Sequence, residues 1–186
     1  MPVFVSMQRG VNVGGHNKIK MDALRALYVS LQFENPRTYV QSGNVIFRTK
    51  EKNPAQLAKK IQDAIEKKFA FRPEVILRTS DEMRKTLAAN PFARRNLEPA
   101  KVHITFLAAE PPVDAKAVID SLKHHPEELH LTGRELYIYF PIGAGQSKLP
   151  WSQVERLFKV TGTARNLNSV AKMLEIAEAM ESEKGN

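Results

Sequence analysis

Apolar and polar residues alternate at the start of the chain. In VFVSMQR, Val3, Val5 and Met7 fall on one face and Phe4, Ser6 and Gln8 on the other, which predicts a strand. The period then changes: Leu24, Leu27, Tyr28 and Leu31 recur at helical spacing through MDALRALYVSLQF. RTYVQS and NVIFRT flank Ser42-Gly43 and predict a β-hairpin. Asn53-Pro54 supplies a cap followed by proline at the first helical position, and Leu57, Ile61, Ala64 and Ile65 carry the buried stripe of that helix. PEVILRT closes the unit as a fourth strand. Strand, helix, hairpin, helix, strand is the order of a ferredoxin-like sheet with two helices on one face.

Thr79 and Glu82 have the spacing of a capping box, opening a short helix with Met83 and Leu87. The segment AANPFARRNLEPA, with its prolines and Arg94-Arg95, reads as a boundary. The second half then repeats the pattern. VHITF at 102–106 answers VFVSM, and VDAKAVIDSL turns Ala115, Val118, Ile119 and Leu122 inward. ELHLT and ELYIYF flank a turn at Gly133, and Ser152 with Glu155 boxes the start of a helix through Leu157 and Phe158. No closing strand is legible in this half. In its place TARNLNSVAKMLEIAEAM predicts a terminal helix with Leu167, Val170, Ala171 and Leu174 on one face, while Glu181 and Glu183 read as a solvated tail. The expected fold class is α+β: two ferredoxin-like βαββα-type units, an internal pseudo-duplication, plus a C-terminal helix. The expected divisions are a basic unit at 1–88, a connector at 89–100 and a second unit at 101–186.

Charge changes the picture from fold to partner. The 186 residues carry a net +8, unevenly spread. Residues 1–100 hold 18 Lys and Arg against 9 Asp and Glu, and residues 101–186 hold 10 against 11. A basic half points to an anionic partner: nucleic acid, a phosphorylated small molecule or an acidic lipid surface. Like charge that merely keeps molecules apart in solution is the plainer reading. Cysteine is absent, which excludes disulfides, thiolate metal sites and a cysteine nucleophile. The start has no basic region before an apolar run, and no apolar run approaches the roughly 18 residues of a membrane span. A cytoplasmic protein without membrane association is expected, and no cofactor motif is complete.

Three segments hold more glycine, asparagine and cation than turns need. RGVNVGGHNKIK brings Gly10, Gly14 and Gly15, whose backbone N–H groups can converge on an anion, beside Arg9, Lys18 and Lys20. GAGQSK, Gly143 to Lys148, precedes a helix, a natural seat for an anion. It lacks the P-loop spacing, and Lys148 replaces the last glycine of GxGxxG. TGTARNLN, Thr161 to Asn168, lies at the start of the last helix, where Asn166 and Asn168 are also ordinary cap residues. His124, His125 and His130 cluster around a proline turn rather than at i and i+4 of one helix, so no metal site is expected. His16 is the one histidine in a candidate loop, and no carboxylate lies in that loop to orient it.

RGVNVGGHNKIKM, YVQSGNVIF, YFPIGAGQSKL and TARNLNSVAKM, in this order, resemble the successive motifs of the bacterial family called domain of unknown function 1697. The last motif departs from that pattern, with Leu167 where tryptophan is usual and Ser169 where threonine is usual. The resemblance implies an α+β fold with internal duplication and attaches no activity. The site it implies takes Arg9, Gly10, Asn12, Gly14, Gly15 and Lys18 from the first loop, and Ser42, Gly43 and Asn44 from the hairpin. Gly145, Ser147 and Lys148 come from the glycine loop, and Thr163, Arg165 and Asn166 from the last segment. Three readings stand side by side. These loops bind a polyanion or phosphate-bearing ligand such as nucleic acid or a nucleotide; they serve an enzyme acting on a phosphorylated or carboxylated small molecule; or they only join the two halves by polar contacts.

Overall fold

All six residues of the first strand, β1 (Val3–Gln8), are buried, so both of its faces are covered. The computed structural model describes residues 1–122 and 126–183. After β1 come α1 (Met21–Ser30), β2 (Glu34–Tyr39), β3 (Asn44–Arg48), α2 (Pro54–Phe69), β4 (Val75–Thr79) and α3 (Ser80–Ala88). The four strands form an antiparallel sheet in the order β2-β3-β1-β4. Phe4, Val45, Phe47 and Leu77 from one face join Leu24 and Tyr28 of α1 and Leu57, Ile61 and Ile65 of α2 in a single apolar core. The helices form where the periodicity places them. Asn53 caps α2 by accepting from the N–H groups of Ala55 and Gln56, ahead of Pro54. Thr79 and Glu82 cap α3 reciprocally: Thr79 N–H donates to Glu82 Oε2 at 2.8 Å, and Glu82 N–H to Thr79 Oγ1 at 3.2 Å.

The second sheet is built from β5 (Val102–Leu107), β6 (Glu128–Thr132), β7 (Glu135–Tyr139) and β8 (Gly162–Asn166), in the order β6-β7-β5-β8. Its helices are α4 (Ala115–Ser121) and α5 (Trp151–Phe158), and α6 (Leu167–Ser182) ends the chain's regular structure. Leu107, Leu136, Ile138 and Phe140 pack with Ala115, Ile119 and Leu122 of α4 and Val154 and Phe158 of α5. Two sequence expectations are corrected here. The closing strand is present: β8 pairs with β5 from His103↔Asn166 to Leu107↔Gly162. It escaped the pattern because GTARN is short and runs into α6 without a Gly or Pro break. Second, α5 begins at Trp151 with Pro150 as its cap residue, so Ser152 stands inside the helix and makes no cap.

Each unit therefore has the element order βαββαβ, and the likeness extends to single residues. Arg78 lies opposite Val5, and Arg165 opposite Ile104, at the same place in the two sheets. Each is buried, and each donates from Nη1 to the carbonyl of the residue before it, Leu77 or Ala164. The next residue caps the following helix in both cases: Thr79 accepts from Glu82 N–H, and Asn166 from Ser169 N–H at 2.9 Å.

Contacts along the chain group Met1–Lys85 with Ala171–Asn186, and Thr86–Val170 as a second unit. The expected solvated tail is a second correction at this end of the chain. Glu178 pairs with Arg84 at 2.9 Å, and Glu181 with Arg84 and Ser80. Glu183 pairs with Arg37 at 2.6 Å. Counted by unit rather than by half, Lys and Arg stand against Asp and Glu as 18 to 12 in the first and 10 to 8 in the second. Among the described residues, no helix is long and apolar enough to cross a membrane.

Candidate functional site

The first loop leaves β1 as a small finger. Val13 and His16 form an isolated antiparallel bridge, with Gly14 and Gly15 as its two-residue tip. Both glycines have positive φ, 58° and 80°, as the type I′ turn demands. The glycines expected to serve an anion are thus first required by the turn. Asparagines hold the base. Asn12 donates from Nδ2 to the carbonyls of Ile19 and Gln41, at 2.9 and 2.7 Å, and accepts at Oδ1 from Ile19 N–H at 2.8 Å. Asn17 reaches back to the Gly10 carbonyl at 3.1 Å.

The hairpin turn between β2 and β3 lies against this base. Gln8 N–H donates to the Gly43 carbonyl at 2.9 Å. Gly43 has φ of 72°, and a Cβ there would stand 2.9 Å from Gln8 Oε1 and 3.0 Å from Gln8 Cβ. Asn44 is buried and donates to the Tyr39 carbonyl and to Ser42 Oγ. Beneath the turn, Gln8 Nε2 donates to both Ser6 Oγ and Tyr28 Oη, at 2.8 and 2.7 Å, in a buried polar triad. Burial holds the Tyr28 hydroxyl far above its ordinary pKa, so it remains protonated.

The structure thus brings Arg9, Gly10, Asn12, Gly14, Gly15 and Lys18 together with Ser42, Gly43 and Asn44 at one end of the first sheet. The division of labour differs from residue to residue. Asn12, Ser42 and Asn44 spend their side chains on the loops themselves. Gly14, Gly15, His16, Lys18 and Lys20 stand in solvent. Among the described residues, the Gly14 and Gly15 N–H groups meet no acceptor, and Lys18 and Lys20 meet no carboxylate. A shallow groove beside the finger is lined by Asn12, Gly15, Lys18, Ile19, Lys20 and Gln41. Gln41 was not singled out in the sequence; only the fold shows that it meets Asn12.

The remaining candidates belong to the second unit. Gly145 sits in a short 3-10 turn, Ala144–Gln146, and Leu149-Pro150 separate Lys148 from α5, so the glycine loop does not itself open the helix. Ser147 Oγ accepts from Leu149 N–H at 3.2 Å, and Lys148 is exposed. Arg165 Nη1 donates to Thr163 Oγ1 at 2.7 Å, and Asn166 caps α6. Arg165 is 8% exposed, and burial pulls its pKa down to about 10, which leaves it cationic at neutral pH. The ends of β7 and β8 lie at the same end of the second sheet, beside Val102 and His103. His130 is exposed and edge-on to Phe92 at 5.3 Å. His124 and His125 lie outside the described residues, and among the described residues no group of three or more acidic or histidine side chains is placed to hold a metal.

The fold has a solved likeness. The structure of a conserved bacterial protein from Streptococcus pneumoniae superposes with a TM-score of 0.67 at 23% identity, covering 95% of this chain and 98% of that one. No curated protein matches the chain. The sequence pattern described as "Protein of unknown function (DUF1697)" matches residues 1–137, which takes in the finger and the hairpin turn and stops short of the last two motifs. The chain therefore belongs to the DUF1697 family of proteins of unknown function.

Proposed function

We propose that the protein binds a phosphate-bearing polymer, nucleic acid foremost, through the finger at Arg9–Lys20 and the adjoining hairpin turn. One observation carries the reading. The finger is held from below by Asn12 and Asn17, while its tip offers two N–H groups that meet no acceptor among the described residues, followed by the exposed Lys18 and Lys20. A preorganised cationic loop of this kind contacts phosphate without paying to order itself on binding. Val13 in the finger and Val40 in the hairpin turn, 62% and 46% exposed, add apolar surface. Residues 9–20 contain no Asp or Glu. That absence favours binding over catalysis, since His16 has no carboxylate in its loop to orient it.

Amide chemical-shift mapping tests this. Titration with a short single-stranded oligonucleotide should move the Gly14 and Gly15 resonances first, together with Lys18 and Gln41. Shifts confined to other surfaces, or no shifts at low salt, would overturn the reading.

A further inference from the structure

A second cationic cluster lies on the first sheet, toward the end away from the finger. Arg37 on β2 pairs in register with Ile46, and Arg48 follows Ile46 by two residues on β3, so both arginines face the same side of the sheet. A bulge between Glu34 and Arg37 sets this geometry. Asn35 takes φ of 49° within it, and Pro36, which has no N–H to offer a ladder, is tolerated because β2 is an edge strand.

Three donors from these strands converge on one carboxylate. Glu183 Oε1 accepts from Arg37 Nη2 at 2.6 Å, and Oε2 lies 3.3 Å from Asn35 Nδ2. Arg48 Nη2 is 3.7 Å from Oε2, close enough for an ion pair and too far for a hydrogen bond. The Arg48 side chain is only 10% exposed, and among the described residues its buried Nε and Nη2 atoms have no hydrogen-bond acceptor. Leaving buried guanidinium donors unmet is costly, and native structures supply such donors with an acceptor from protein, water or a bound anion. Within ion-pair distance the two guanidinium groups share one carboxylate, Glu183; Glu34 stands in register opposite Arg48 but makes no ion pair with it among the described residues. A phosphate group, with close to two negative charges and three acceptor oxygens, can serve both guanidinium groups at once and supply the acceptors that Arg48 lacks.

We propose that Asn35, Arg37 and Arg48 form a phosphate-binding site for a small ligand, which Glu183 fills in cis until the ligand displaces it. The carboxylate satisfies Arg37 and leaves Arg48 short, so it is the weaker of the two occupants. Glu183 sits just past α6 and is tied to it by one backbone bond, Glu183 N–H to the Ala179 carbonyl at 3.2 Å. Withdrawing it therefore disturbs little besides the last turn. This site is separate from the finger and does not depend on it.

Calorimetric titration of the full chain with inorganic phosphate tests the proposal. Glu183→Gln removes the competing charge and should tighten phosphate binding roughly fivefold, the scale of one half-exposed ion pair. Adding Arg37→Gln, at a position 37% exposed and tolerant of change, should abolish that gain. Arg48→Lys should also weaken binding, because an ammonium cannot supply the guanidinium fork. Equal phosphate affinity in the wild type and Glu183→Gln would overturn the proposal, as would tightened binding that survives Arg37→Gln. The gain from Glu183→Gln should persist when Lys18→Ala/Lys20→Ala is added, so this site and the finger can fail separately.

Discussion

Two glycines in the same region show how differently one residue type is used. Gly43 is required twice, by its positive φ and by the closeness of Gln8 and Val11, whereas a Cβ at Gly15 would meet nothing within 4 Å. Gly43→Ala should therefore cost about 2–4 kcal/mol, combining backbone strain with overpacking, and Gly15→Ala about 1 kcal/mol from strain alone. Urea denaturation of the two variants checks the difference. The buried Tyr28 hydroxyl gives a pH prediction of the same local kind. Its folded-state pKa is raised above the unfolded value of 10.0, so the folded state keeps the proton that the unfolded state releases. Its contribution is complete below pH 10 and is lost as pH rises beyond it. Thermal melts of the wild type should fall above pH 10, and Tyr28→Phe should flatten that fall while lowering stability at neutral pH through the lost bonds to Ser6 and Gln8. Glycine spacing in RGVNVGGHNKIK makes a turn legible. That Asn12 would spend its amide on Ile19 and Gln41 was not, because Gln41 is 29 positions away.

At the level of elements, local signals were read well where a cap and an apolar stripe agreed. Asn53-Pro54 and Thr79-Glu82 both open helices as their spacing predicts. Ser152-Glu155 has the capping-box spacing and fails, since α5 already opens at Trp151 with Pro150 at its cap position. Asn53→Ala should thus cost about 1 kcal/mol, while Ser152→Ala should stay within about 0.5 kcal/mol. Comparable losses in chemical denaturation would contradict this assignment of caps. Strand β8 was hidden for a related reason. Asn166 is both its last residue and the cap of α6, so the strand passes into the helix with no loop between them. The equivalence of Arg78 and Arg165 emerges only from register, because a buried arginine looks like a surface one in sequence.

Across the whole molecule, a pattern read by halves misses what the chain's end does. Glu178, Glu181 and Glu183 return to Arg84, Ser80 and Arg37 over separations of about a hundred residues or more, and no local periodicity announces such pairs. Their effect is to neutralise arginines around the first sheet while leaving Lys18 and Lys20 at the finger without carboxylate partners among the described residues. The most direct test of the finger as a phosphate contact is the salt dependence of binding to a single-stranded oligonucleotide, compared between the wild type and Lys18→Ala/Lys20→Ala. The wild-type logarithmic affinity should fall linearly with the logarithm of salt concentration, and the double variant should bind more weakly with a slope shallower by roughly 0.7 per lost contact. Identical slopes in the two proteins, or wild-type binding indifferent to salt, would contradict the account.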